Sequence, residues 1–438
     1  MGSTETCAMT ATKLTRIAWL SANDPTKRFD QLMHHFTVEA LAACFDALDG
    51  TKAVGIDGVT KAQYGENLDE NLQDLVARLK RMAYRPQPIR QALIPKEGQP
   101  GATRELGISG VEDKIVQKMM QKVLESIYEP LFLDCSYGFR PGRSCHDAVK
   151  ALYQHLYRHD VQIIIDVDLA NFFGTIDRHR LVELLREKIG DERLIRYLTR
   201  MFKAGMLSDG ELVVSEEGVV QGSICSPVLA NVFAHYAIDS WFETTVKQHC
   251  RGRVALFRYA DDAVICCQYE QDAQRIKTAL AKRLAKYGLK LNEQKTQLVR
   301  FSKQGKRRGD KTGGFDFLGF TFYLGRSRRG YITPKLKTSG KRLRSKLKRL
   351  GEWAKRIRNV LPLKQIWALF QAKLRGHIQY YGVSFNTKAL NEFIYQAKRI
   401  MFRQLNRRSQ RKSFNWEQFD RFNNAYPLPP TRIHHALY

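Results

Sequence analysis

The residues best suited to do chemistry are two adjacent carboxylates in Phe257-Arg258-Tyr259-Ala260-Asp261-Asp262-Ala263-Val264. Apolar runs flank them, Val254 to Phe257 on one side and Ala263 to Cys267 on the other. That texture predicts two buried strands joined by a tight turn, with both acids at the tip. Asp is disfavoured inside strands, so a pair of them between β-formers needs a reason. A polar hairpin loop is one reason. A divalent cation is the other, because like charges this close are costly unless neutralised. Upstream, Val161 to Asp168 reads as an apolar strand ending in acid, and a side-chain period of two puts Asp166 and Asp168 on one face.

Cations recur at turns. A strand from Arg90 to Ile94 leads into Pro95-Lys96, a Gly/Pro-rich turn and Arg104-Glu105-Leu106-Gly107-Ile108. A hairpin there brings Lys96 and Arg104 together, and such a pair can grip a triphosphate. Taken alone, each is explained as solvated surface charge. Ser136-Tyr137-Gly138-Phe139-Arg140-Pro141-Gly142-Arg143-Ser144 is a loop whose glycines let the backbone come close to a ligand. Gln221-Gly222-Ser223-Ile224-Cys225-Ser226-Pro227 reads as a loop entering a helix at Pro227.

The elements that must position these residues follow from periodicity. Residues 111–129 carry an apolar stripe from Ile115 to Tyr128 and end at Pro130, which predicts a helix with one buried face. Helices are also expected over Cys145–His155, from Pro227 through Trp241, and over Gln271–Tyr287, and Leu169–Phe173 is expected to turn away into another. Phe315–Phe322 alternates like a strand. Residues 302–314 read as an exposed, mobile linker. From Lys335 the texture becomes basic helices, with Trp367, Tyr380, Tyr381 and Phe402 expected in their core and cationic faces outside. Residues 416–438 read as loop-rich.

A chain of 438 residues with 43% hydrophobic content is globular and long enough for two or three domains. No apolar run reaches the ~18 residues of a membrane span, and residues 1–16 lack a secretion signal's apolar core. The eight cysteines show no zinc spacing, which fits free thiols in a reducing cytoplasm. The net charge of +28 is unevenly placed. Residues 301–438 hold 32 Lys and Arg against 6 Asp and Glu, so the first 300 residues are nearly neutral. A near-neutral body joined to a basic C-terminal third is the footprint of a polyanion binder, with nucleic acid favoured.

In combination and in this order, Asp168, the Gln221-Gly222-x-x-x-Ser226-Pro227 loop, Tyr259-Ala260-Asp261-Asp262 and Phe317-Leu318-Gly319-Phe320 resemble the palm motifs of reverse transcriptases. Tyr137 to Ser144, Gly55-Ile56-Asp57-Gly58-Val59 and Arg104 to Ile108 narrow the likeness to bacterial group II intron-encoded reverse transcriptase/maturases. Leu374-Arg375-Gly376 with Tyr380-Tyr381 is similar to that family's thumb and maturase region. The resemblance implies an α/β (α+β) right-hand polymerase with an antiparallel palm sheet. Its parts would be an N-terminal helical extension (1–50), fingers and palm (51–325), a helical thumb/maturase region (326–410) and a short tail (411–438), possible remnant of a DNA-binding module.

By the same resemblance, Asp168, Asp261 and Asp262 hold two Mg²⁺ ions, with Mn²⁺ as a substitute, and Asp166 either supports them or is a strand residue satisfied by hydrogen bonds. Lys295 assists pyrophosphate departure. Lys96 and Arg104 clamp the dNTP triphosphate, Gln221 borders the nucleotide, and the Phe173 ring excludes a 2′-OH. Arg140, Arg143, Lys341, Arg342 and Lys346 are candidates for nucleic-acid contact. The implied partners are an intron RNA template, a DNA primer or target, and dNTPs; the implied location is the bacterial cytoplasm, near the nucleoid. No cysteine follows Cys267, so the paired-cysteine H-N-H nuclease of many relatives is expected to be absent. Two other readings stand beside this one: an RNA-binding maturase with an idle polymerase site, and a domesticated relative working in DNA repair or phage defence.

Overall fold

The computed structural model describes residues 2–95, 103–208, 211–213, 217–219, 221–408 and 414–438. Its strands, in chain order, are β1 (Ile89–Pro95), β2 (Thr103–Ile108), β3 (Ile163–Asp168), β4 (Met206–Ser208), β5 (Glu211–Val213), β6 (Val254–Tyr259), β7 (Asp262–Cys267), β8 (Gln297–Arg300), β9 (Phe315–Phe317), β10 (Phe320–Arg326) and β11 (Ile332–Thr338). They form three sheets, ordered β2-β1-β4-β5, β6-β7-β3-β8 and β11-β10-β9. All pairings in the central and third sheets are antiparallel, whereas β1 runs parallel to β4.

The largest core surrounds helix Val111–Tyr128. Its stripe of Ile115, Val116, Met119, Met120, Val123, Leu124 and Ile127 is fully buried, as the four-residue spacing requires. Residues of the first 50, from Ile17 to Phe45, pack into this same core, so the N-terminal helices are part of the body. The central sheet divides its side chains by parity. Ile163, Ile165 and Val167 face the first core, and Ile164 faces a second core built with β9, β10 and β11. A third core belongs to helices Gly340–Ile357, Leu363–Tyr381, Thr387–Leu405 and Trp416–Ala425.

Several expectations give way here. Leu169–Phe173 is a bridge and turn that closes with a short 3₁₀ segment, Phe172–Gly174, and the next α-helix is Arg178–Arg186. The stretch 302–314 contains helix Lys303–Arg308, capped by the Ser302 hydroxyl. Residues 332–338 are a strand, so the helical region starts at Gly340 and not near 326. The tail is less loop-rich than expected, since Trp416–Ala425 is a helix. Phe419 is buried in the third core, His435 pairs with Val383, and Leu437 fills the second core. The predicted helix after Pro227 does continue past Trp241, but through two π-helical stretches, His235–Asp239 and Phe242–Val246. Among the described residues, no helix is long and apolar enough to cross a membrane.

Candidate active site

The acids converge as strand parity demands. β3 ends at Asp168, and the antiparallel register sets Asp168 directly opposite Asp262, the first residue of β7. Opposed residues project to one face, and Asp166, two residues earlier, joins them. Tyr259 pairs with Asp262 across β6 and β7, which leaves Ala260 and Asp261 as a two-residue turn. Carboxylates from two strands and a hairpin tip therefore share one end of the central sheet.

Burial first, and mutual repulsion second, raise the proton affinity of three of them. Burial, then Asp166, Asp261 and Asp168, push the Asp262 carboxyl up to about 7, against a Leu318 N–H that donates to it at 3.4 Å. Asp166 is pushed up to about 6 by burial, with Asp316 and Asp168 adding. Asp261 sits on an exposed residue, but the protein mass around its carboxyl still raises it; Arg104 opposes that shift and Asp168 adds to it. Asp168 remains open, its side chain 42% exposed, with the Lys295 ammonium 3.8 Å away.

Hard carboxylate oxygens that raise one another's affinity for protons suit a hard divalent cation. Among the described residues, no three His, Cys, Asp or Glu side chains form a group that could by themselves hold an ion. Mg²⁺ does not require such a cage, since it is commonly bound by one or two carboxylates and completed by substrate phosphates and water. Asp168 and Asp261 are the open pair that fits this pattern. Asp262 lies behind them with a hydrogen-bond partner of its own.

The other expected residues divide. Arg104 lies near enough to Asp261 to affect its protonation. Phe173 is half-buried against the first core and meets Phe139 edge-on, ring centroids 6.3 Å apart. The Gln221 carbonyl accepts from Gly107 N–H at 2.6 Å, which ties its loop to β2. A Cβ on the next residue, Gly222, would lie 2.3 Å from the Gly107 oxygen, so only glycine permits that contact. Lys96 lies outside the described residues.

Arg140 is corrected. It is 7% exposed and committed inside the protein, paired with Glu129 at 2.7 Å and donating to the carbonyls of Leu133 and Ser136. It anchors its loop instead of facing a polyanion. Arg143 is partly engaged by Asp134 at 2.6 Å. Lys346 turns over the Tyr381 ring, 4.7 Å from its centroid, while Lys341 and Arg342 are exposed at the start of their helix.

The supports of the hairpin were not foreseen. Arg258, 0% exposed, donates to both carboxylate oxygens of Asp239, to Ser136 Oγ at 2.7 Å, to Asn231 Oδ1 at 3.2 Å and to the Ala260 carbonyl at 3.0 Å. Ala260 has φ of 57°, a conformation costing a residue with a Cβ roughly 1–2 kcal/mol. The buried guanidinium thus grips the strained turn beside Asp261. An arginine inside an apolar strand was the available signal, since such a charge must be paired. Its partner Asp239 lies on a π-helical stretch that periodicity does not reveal.

A second support links motifs that are distant in sequence. Leu318 and Gly319 form the β9–β10 turn, and the Tyr380 hydroxyl donates to the Leu318 carbonyl at 3.0 Å. The helical region therefore braces the turn whose N–H reaches Asp262.

Residues 94–322 match the family model described as reverse transcriptase (RNA-dependent DNA polymerase). The chain is 31% identical to Protein YkfC of Escherichia coli (strain K12) over 353 residues, covering 72% of this chain and 88% of that protein. It is 36% identical to the group II intron-encoded protein LtrA of Lactococcus lactis subsp. cremoris over 167 residues, covering 38% of this chain and 27% of LtrA. A 91 kDa protein in the cob intron of Schizosaccharomyces pombe is 37% identical over 172 residues, 39% of this chain and 21% of that protein.

Proposed function

The chain belongs to the reverse transcriptase family, and from that premise we propose that it is an RNA-directed DNA polymerase of the group II intron type. The observation that carries the proposal is the Asp168–Asp262 register with Asp261 at the adjoining turn. In this reading the central sheet is the palm, the β1–β2 hairpin belongs to the fingers, and the helices from Gly340 form the thumb. Mg²⁺, or Mn²⁺ in its place, would be held by Asp168 and Asp261; when bound, it neutralises the polyphosphate and favours ionisation of a primer 3′-OH.

The remaining work falls to the chain's own groups. Arg104, and Lys96 as the second cation expected from the sequence, attract and orient the triphosphate by charge. Lys295, beside Asp168, balances the carboxylates before substrate arrives and is placed to offset charge on the departing pyrophosphate. Phe173 presents a ring where a ribose 2′-OH would stand, which selects dNTPs by exclusion. Asp262 stays in the sheet as an acceptor for Leu318, and Asp166 shares its face.

A second activity, binding of intron RNA in support of splicing, is favoured by the charge asymmetry, since 32 of the 72 Lys and Arg lie in residues 301–438 with only 6 acids. The test of the polymerase reading is extension of a DNA primer on an RNA template with dNTPs and Mg²⁺. Template-directed DNA product is expected. Binding without synthesis, across Mg²⁺ and Mn²⁺, would leave the RNA-binding reading in its place.

A further inference from the structure

Phe139 is an exposed aromatic held in a costly conformation beside the acids. It is 49% exposed, and its φ of 57° is an outlier for a bulky side chain. Both neighbours are anchored. A Cβ on Gly138 would lie 2.4 Å from the Ala260 nitrogen, so the loop rests directly on the turn carrying Asp261. Asn231 Nδ2 donates to the Gly138 carbonyl at 2.7 Å, and Arg140 is the buried anchor on the other side. The Phe139 ring consequently stands between two others. It meets Phe173 at 6.3 Å and 81°, and Tyr259 at 6.3 Å and 46°. Phe173 is backed on another side by Phe172, 5.6 Å away.

A half-exposed ring adds little to the core, so stability does not explain why its loop tolerates the strain. Its placement does. The ring spans the gap between the sugar-excluding Phe173 and the hairpin that carries Asp261. We propose that Phe139 is a positioning residue for sugar selection, holding the Phe173 ring upright so that a nucleotide 2′-OH finds no room. The inference rests on the polymerase reading above and extends it to a residue outside the nucleotide pocket foreseen from the sequence. Without the Phe139 ring, Phe173 has freedom to tilt toward the vacated space. The site then loses part of its discrimination while retaining its carboxylates.

The test compares single-nucleotide incorporation of dNTP and rNTP on an RNA template by wild type, Phe139→Gly, Phe139→Leu, Phe139→Tyr and Phe173→Ala. Glycine is chosen because it accepts the positive φ without strain, so the ring is removed without a backbone penalty. The rNTP-to-dNTP ratio of kcat/KM is expected to rise about tenfold in Phe139→Gly, less in Phe139→Leu, and to stay near wild type in Phe139→Tyr. Phe173→Ala sets the upper end of the scale. A merely structural role would lower both substrates together and leave the ratio fixed, and that result in Phe139→Gly and Phe139→Leu would overturn the proposal. Wild-type synthesis in the same assay separates the two claims. If wild type makes no DNA, the polymerase reading falls and this inference with it; if it does and the ratio is unmoved, only the role of Phe139 falls.

Discussion

Arg258 and Asp239 form a fully buried, two-point ion pair directly behind the hairpin that carries Asp261, with both side chains at 0% exposure. The remaining Arg258 donors reach Ser136, Asn231 and Ala260, which joins the Tyr137–Ser144 loop, the helix after Pro227 and the strained turn at one guanidinium. Asp239→Asn should therefore destabilise the chain by about 3–5 kcal/mol, because it leaves a buried cation without its counter-charge. Urea unfolding measures this. A loss below 1 kcal/mol would mean that the pair is not the anchor described.

Arg140 and the cations of helix Gly340–Ile357 should separate in the same kind of experiment. Arg140→Ala should lower stability, since its partners Glu129, Leu133 and Ser136 lose a buried donor. Lys341→Ala and Arg342→Ala, at exposed positions, should leave stability within about 0.5 kcal/mol and weaken RNA binding. Each lost phosphate contact should reduce the slope of log affinity against log salt by about one. A salt series on the variants checks it.

His377 gives the helical region a pH dependence. It is 4% exposed, stacks on Phe393 at 3.5 Å, and among the described residues neither ring nitrogen has a hydrogen-bond partner. Burial, with Lys346 adding, lowers its pKa from 6.5 to about 3. Between those values the unfolded chain binds a proton that the folded chain refuses, so stability is full above pH 6.5 and declines as pH falls. About 2 kcal/mol should be lost by pH 5 relative to neutral pH. His377→Phe should flatten this part of the stability profile, as followed by thermal unfolding between pH 5 and 7.

The strand-borne acids were legible because strand period is short-range information. Ile163 to Asp168 and the β6–β7 hairpin follow from continuous apolar runs and turn residues alone, and the shared face of Asp166 and Asp168 follows from the side-chain period of two. The long helix Val111–Tyr128 was equally plain from its stripe. The turn at Leu169–Phe173 is legible, but its backbone, left-handed at Asn171, leads into a short 3₁₀ segment where a helix is expected, and the α-helix begins only at Arg178. Arg140 was read as a phosphate contact because a cation in a Gly/Pro loop looks exposed, whereas acceptors four to eleven residues upstream, on Ser136, Leu133 and Glu129, bury it. The Asp239, Tyr380 and Phe139 contacts depend on long-range packing, which no local pattern encodes.

In the proposed function, Asp261 together with Asp168 makes the sheet end a site of nucleotidyl transfer and not merely of nucleic-acid binding. The most direct measurement is DNA primer extension on an RNA template with dNTPs and Mg²⁺ by wild type and Asp261→Asn, with binding of the same duplex measured for both. The expected result is synthesis by wild type, a loss of at least about a thousandfold in the variant, and duplex affinity unchanged within a few-fold. Synthesis by Asp261→Asn at a rate near that of wild type would contradict it.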